Sequence, residues 1–153
     1  MASQHIYNAP LPTAKSVASR TETLIQLATP ATRRAWVLEI GVSGQSVNTA
    51  DIPVLVYLLR QSSLGTQSAT VTPQPTSEGY PAALSTVNIT YTVEPGTTGT
   101  FVAGQWRVTP VGGLFVLTAS LGTEVELAVS SRVGLVVVTG QTTLCDAYLK
   151  FAE

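Results

Sequence analysis

Glu124 and Glu126, in the stretch GTEVELAV, are the two carboxylates closest together in the chain. On a strand they would project from one face, because successive side chains alternate. Two carboxyl groups flanking a sugar are the minimum a glycoside hydrolase requires, so this pair is the one credible acid–base arrangement. The other carboxylates, among them Glu22, Glu39, Asp51, Glu78, Glu94 and Asp146, are spread along the sequence. A hydrolytic groove would add aromatic platforms, yet Trp36 and Trp106 each sit inside strand-like alternation. The plainer reading is a solvated strand edge at 124 and 126 and two tryptophans in the core.

Other chemistries find less to work with. His5 is the only histidine, which excludes imidazole-built metal sites and Ser–His–acid machinery on a rigid scaffold. Cys145 is the only cysteine, so an internal disulfide is impossible, and a lone thiol in a strand-like run reads as a small buried hydrophobe. Asp51 with Asn48 and Thr49 lacks the acidic cluster of a calcium loop and reads as a turn. Asn88-Ile89-Thr90 fits the glycosylation pattern, but so short a match is frequent by chance. The glycines of GTTGT and GQWR lack the strand–loop–helix setting that cradles phosphate. No cofactor, metal or catalytic residue is expected.

Charge narrows the partners. Lysine, arginine, aspartate and glutamate make up 11% of 153 residues, with a net charge of −1, against about 25% charged in an average soluble domain. Eight basic residues scattered among nine acidic ones form no stripe for phosphates, so no nucleic-acid partner is expected. No run approaches the roughly 18 apolar residues of a membrane span, and residues 1–16 resemble no secretory signal. Serine and threonine, about a quarter of the chain, must wet the surface instead. Weak self-repulsion suits a protein that works assembled.

The elements that must carry these residues are strands. Runs with period-two patterning are expected near 13–18, 22–29, 33–43, 53–61, 86–94, 100–109, 113–120, 124–129, 132–139 and 143–152. In STVNITYTV, Val87, Ile89, Tyr91 and Val93 alternate with threonine and asparagine. PVLVYLLR and GLVVVT are apolar on both faces, as central or interface strands are. The connection 61–84 carries Pro73, Pro75, Gly79 and Pro81 and is expected to cross the outside of the fold without strands. Residues 1–12, broken by Pro10 and Pro12, read as an extended N-terminal arm, and residues 13–153 as a single β-sandwich domain. The fold class is thus all-β, an antiparallel sandwich or barrel. His5, Ile6, Tyr7 and Leu11 are the arm's contact candidates, and deleting the arm is expected to leave a folded protein. Arg33 and Arg34 stand at the entry of a strand, where neighbours face opposite ways. They lie along the sandwich rim on their aliphatic stems, or one forks onto a carboxylate of a neighbouring subunit. Tyr57 and Arg60 are candidates for the same subunit interface.

The order TETLIQLATPATRRAWVLEIGVSG, IPVLVYLLRQSSLGTQSATVTPQP, GYPAAL and AYLKFAE resembles small virion proteins of tailed bacteriophages and prophages. The resemblance implies a jelly-roll-like capsid decoration, or cement, protein. It implies a homo-oligomer, commonly a trimer, bound to the major capsid protein on the outer surface of the virion head after synthesis in the bacterial cytoplasm. The arginine pair is not part of the resemblance. A head-fibre or tail receptor-binding module gripping host glycans through Tyr57, Tyr80, Tyr91 and Trp106 is the alternative.

Overall fold

Alternating apolar and polar side chains give a strand one dry face, and two sheets can bury such faces against each other. In the computed structural model, which describes residues 4–18, 21–45 and 52–153, thirteen strands do this. Sheet A holds β1 (Ile6–Pro10), β2 (Lys15–Val17), β4 (Ala35–Gln45), β7 (Gln74–Pro75), β10 (Val111–Thr118), β11 (Val125–Leu127) and β13 (Thr143–Ala152). Its spatial order is β10-β4-β13-β1-β7, with β11 on β4 and β2 on β13. Sheet B runs β6 (Thr66–Val71), β8 (Thr86–Val93), β3 (Thr21–Ala28), β12 (Arg132–Val138), β5 (Val54–Gln61), β9 (Thr97–Val108). Every pairing is antiparallel. No helix occurs among the described residues.

The sheets face each other across one hydrophobic core. Leu24, Ile25, Leu27, Val56, Leu58, Val133, Leu135 and Val137 enter it from sheet B, and Tyr7, Val37, Ile40, Val42, Leu149 and Phe151 from sheet A. The chain passes from one sheet to the other eight times, two of these passages lying between β6 and β7 and between β9 and β10. Buried Pro73 and Pro110 sit at these two corners, where a missing N–H costs no ladder bond. The β6 and β7 edges therefore share one side of the sandwich, and β9 and β10 share the other.

Three expectations are corrected. Residues 6–10 are not an extended arm: β1 lies inside sheet A between β13 and β7, Ile6 opposite Ala152 and Pro10 opposite Tyr148. The Tyr7 ring stacks on Phe151 at 5.5 Å, and its hydroxyl donates to the Pro81 carbonyl at 2.9 Å. The connection 61–84 is not strandless, since it supplies β6 and β7. Trp36 is not a core residue. Ala35 and Val37 point inward, and so do Ile40 and Val42, because the pairing with β13 slips between Lys150 and Phe151 and reverses the phase. Trp36 is left half-buried on the outward side.

Two polar fastenings hold the crossovers down. On the outward face of sheet B the buried Asn88 amide donates to Gln26, Gln26 donates to Gln61 and to the Ser63 carbonyl, and Gln61 donates to Thr23. Gly134 makes room for them: a Cβ there would lie 2.4 Å from the Gln61 amide carbon. At the other fastening, the Glu153 carboxylate accepts from the Leu84 N–H at 2.5 Å, the Ser85 N–H at 3.0 Å and the Ser85 hydroxyl at 2.6 Å.

Candidate functional site

Two hollows open on the side of the sandwich bounded by β9 and β10. Trp106 of β9 stacks on Phe115 of β10, with ring centroids 4.8 Å apart. Beside this pair an apolar hollow of about 330 Å³ opens between the sheets, lined by Leu38, Ile40, Leu58, Val102, Trp106 and Leu117 among others. Through Val102, Thr123 and Val125 it meets a wider, polar hollow of about 570 Å³ holding Arg60, Glu124, Glu126 and Ser131.

Four of the sequence-derived candidates, Glu124, Glu126, Arg34 and Arg60, meet in this polar end, each with a structural partner. Glu126 lies on β11, and its carboxylate accepts from Arg34 Nη1 at 2.6 Å. Arg60 Nη2 donates to the Glu126 carbonyl at 2.6 Å. Glu124 Oε2 accepts the Gly122 N–H at 2.8 Å and fastens the turn before β11. The carboxylate that Arg34 forks toward thus belongs to its own chain. Arg33 is exposed beside Tyr7, Pro81 and Glu153, around a separate hollow.

On the outward face of sheet A, Glu39 gathers three donors. Tyr148 donates its hydroxyl at 2.7 Å, Lys150 its ammonium at 3.3 Å and Thr118 its hydroxyl at 3.2 Å. The Tyr148 hydrogen bond, aided by Lys150 and Thr118, holds the Glu39 carboxyl below its ordinary value against partial burial. Burial, then the hydrogen bond to Glu39 and the Glu39 charge, push the Tyr148 phenol up to about 12. Nearby, Gln45 donates to Asp146. These groups knit β4, β10 and β13 together.

The remaining candidates scatter. The His5 ring lies 4.3 Å from Tyr80, and its backbone pairs both ways with Glu153. Ile6 is half-buried, and Leu11 packs against the core while its N–H donates to the Ala147 carbonyl. Tyr57 rests on Phe101, and Tyr91 donates to the Asn88 carbonyl under the Lys15 ammonium. The aromatic candidates Tyr57, Tyr80, Tyr91 and Trp106 therefore each keep separate company. Cys145 is wholly buried, and burial pushes its thiol up to about 11. Asn88 is likewise buried, out of reach of a glycan. The Asp51 loop lies outside the described residues. Among those residues no group of three or more His, Cys, Asp or Glu could hold a metal ion.

Sequence reasoning missed the β10 edge. Eleven large hydrophobic side chains are well exposed among the described residues, and four of them fall between 111 and 121. Val111 is 55% exposed, Leu114 71%, Val116 45% and Leu121 98%. The signal was legible in VGGLFVLT, which has no charged residue, but only the strand order makes it an edge. Apolar side chains beside an open strand edge favour covering by another protein surface.

No family model, curated protein or solved structure gives a significant match to this chain.

Proposed function

We propose that this chain is a non-enzymatic structural protein of a tailed-phage virion, a jelly-roll-like cement subunit. As a homo-oligomer, a trimer by the resemblance, it lies on the outer head surface and bridges major capsid protein subunits. The observation that carries the reading is the uncharged, apolar β10 edge in a chain with only 11% charged residues. Such a surface gains by being covered, and many modest contacts repeated by symmetry suffice for firm attachment. Residues 5–11 are engaged within the sheet, so contact with the shell is assigned to exposed edges and loops. The glycan-gripping alternative is disfavoured by the dispersal of Tyr57, Tyr80, Tyr91 and Trp106.

The test is co-sedimentation of the purified chain with tailed-phage heads, followed by electron cryo-microscopy of the pellet. Added density on the outside of the head, where capsomers meet, is the expected result. Density confined to the tail, or no co-sedimentation, would overturn the proposal.

A further inference from the structure

Besides the three-residue strands β2 and β11, four strands bound the two sheets, and they differ in how they are protected. β7 is two residues long and ends in Pro75. β6 is polar, and its pairing with β8 shifts register three times. β9 carries Arg107 and shifts three times against β5. Short length, proline, irregular pairing and charge each discourage a further strand from adding. β10 has none of these over Leu114–Thr118: it pairs with β4 in unbroken register, lacks charge, and among the described residues has no partner strand on its other side. Leu114 and Val116 point outward from the sheet, while Phe115 and Leu117 turn toward the core.

We propose that the β10 edge is a two-fold contact between two copies of this chain, antiparallel and centred on Val116. The regular segment has five residues, Leu114–Thr118, and Val116 is its midpoint. A two-fold axis normal to the sheet keeps outward faces outward, so residue pairs share parity. In this register Val116 meets its equivalent, Leu114 meets Thr118, and Phe115 meets Leu117. Leu114 and Val116, the two exposed apolar side chains of the regular segment, thereby enter one stripe with their equivalents in the second copy. Neither strand brings a charge to be desolvated or repelled, which singles out a second copy over a charged partner. The same pairing lays Phe115 and Leu117 of the second copy beside the apolar hollow. The contact pairs copies of the free chain. It rests on the proposed self-association but needs no capsid.

The experiment uses single cysteines and a short thiol-specific crosslinker on the purified full chain, with the buried Cys145 of the wild type as the blank. Val116→Cys should give a covalent dimer alone. Leu114→Cys and Thr118→Cys should do so when mixed, because like positions lie about 14 Å apart in this register. Val116→Lys should keep its circular dichroism spectrum while the sedimenting mass falls twofold. No dimer from folded Val116→Cys, equal crosslinking by all three single variants, or unchanged mass in folded Val116→Lys would overturn the contact. Head co-sedimentation by the wild-type chain is scored separately, so failure of the pairing and failure of shell binding are distinguishable.

Discussion

The ring of Tyr148 occupies the space over Gly41 on the outward face of sheet A: a Cβ at position 41 would lie 2.1 Å from Tyr148 Cε1. Gly41→Ala must therefore displace the ring and its hydrogen bond to Glu39. The expected cost is about 1–3 kcal/mol, the range of overpacking. In a Tyr148→Ala background the same glycine change should cost far less, and urea unfolding of the four species in a double-mutant cycle checks it.

The Glu39–Tyr148 pair also sets a pH dependence with opposite signs at the two ends. Glu39 is held below its ordinary value of 4.5, so its contribution is present above that value and is lost as pH falls through the depressed one. Tyr148 is raised from 10.0 to about 12, so its contribution is present below 10.0 and is lost as pH climbs toward about 12. Urea midpoints measured against pH should show Glu39→Gln losing the acid-side decline. Tyr148→Phe should lose the alkaline one.

Because Tyr7 and Ala9 are buried in the core, removing residues 1–12 should now abolish the fold. Tyr7→Ala alone should cost about 3–5 kcal/mol, as truncation of a buried aromatic does. Circular dichroism of the truncated chain and denaturant unfolding of the point variant are the measurements. A truncated chain with native ellipticity and a native melt would contradict the role given to β1.

The Cys145 thiol should resist modification in the native state. Raised from 9.0 to about 11, it would carry roughly a hundredfold less thiolate near neutral pH than a free thiol, before any loss of access. An aromatic disulfide reagent should react promptly in urea and far more slowly in buffer. Equal rates would mean that β13 opens freely.

Arg34 and Glu126 form an ion pair at the polar hollow, but the two side chains are 60% and 47% exposed. Arg34→Ala should cost under about 1 kcal/mol, because solvent and entropy offset most of the attraction in exposed pairs. Denaturant unfolding at low and high salt should give nearly the same small difference.

Period-two patterning located ten strands, since a half-buried strand must alternate. β1 escaped because its run is short: Tyr7 and Ala9 face the core, but Asn8 and Pro10 between them look like loop residues. β6 and β7 escaped because edge strands bury little and carry few apolar residues. The phase reversal in β4 depends on its pairing with β13, which lies more than a hundred residues away. For the candidate site, Glu124, Glu126, Arg34 and Arg60 were picked out by type, and the fold brings them around one hollow. Their mutual engagement within one chain, and the exposure of β10, depend on strand order, which local pattern does not encode.

Sheet A cannot close until the last of its strands exists, because β13 lies between β4 and β1. All six strands of sheet B are complete by Val138, whereas β13 ends at Ala152. On the ribosome, then, the nascent chain would hold the apolar faces of β1 and β4 without their shared neighbour until synthesis reaches residues 143–152. Non-local pairing of this kind is slow and exposes apolar surface meanwhile. Truncated translation products of this chain would accordingly be substrates for chaperones or proteases rather than functional fragments.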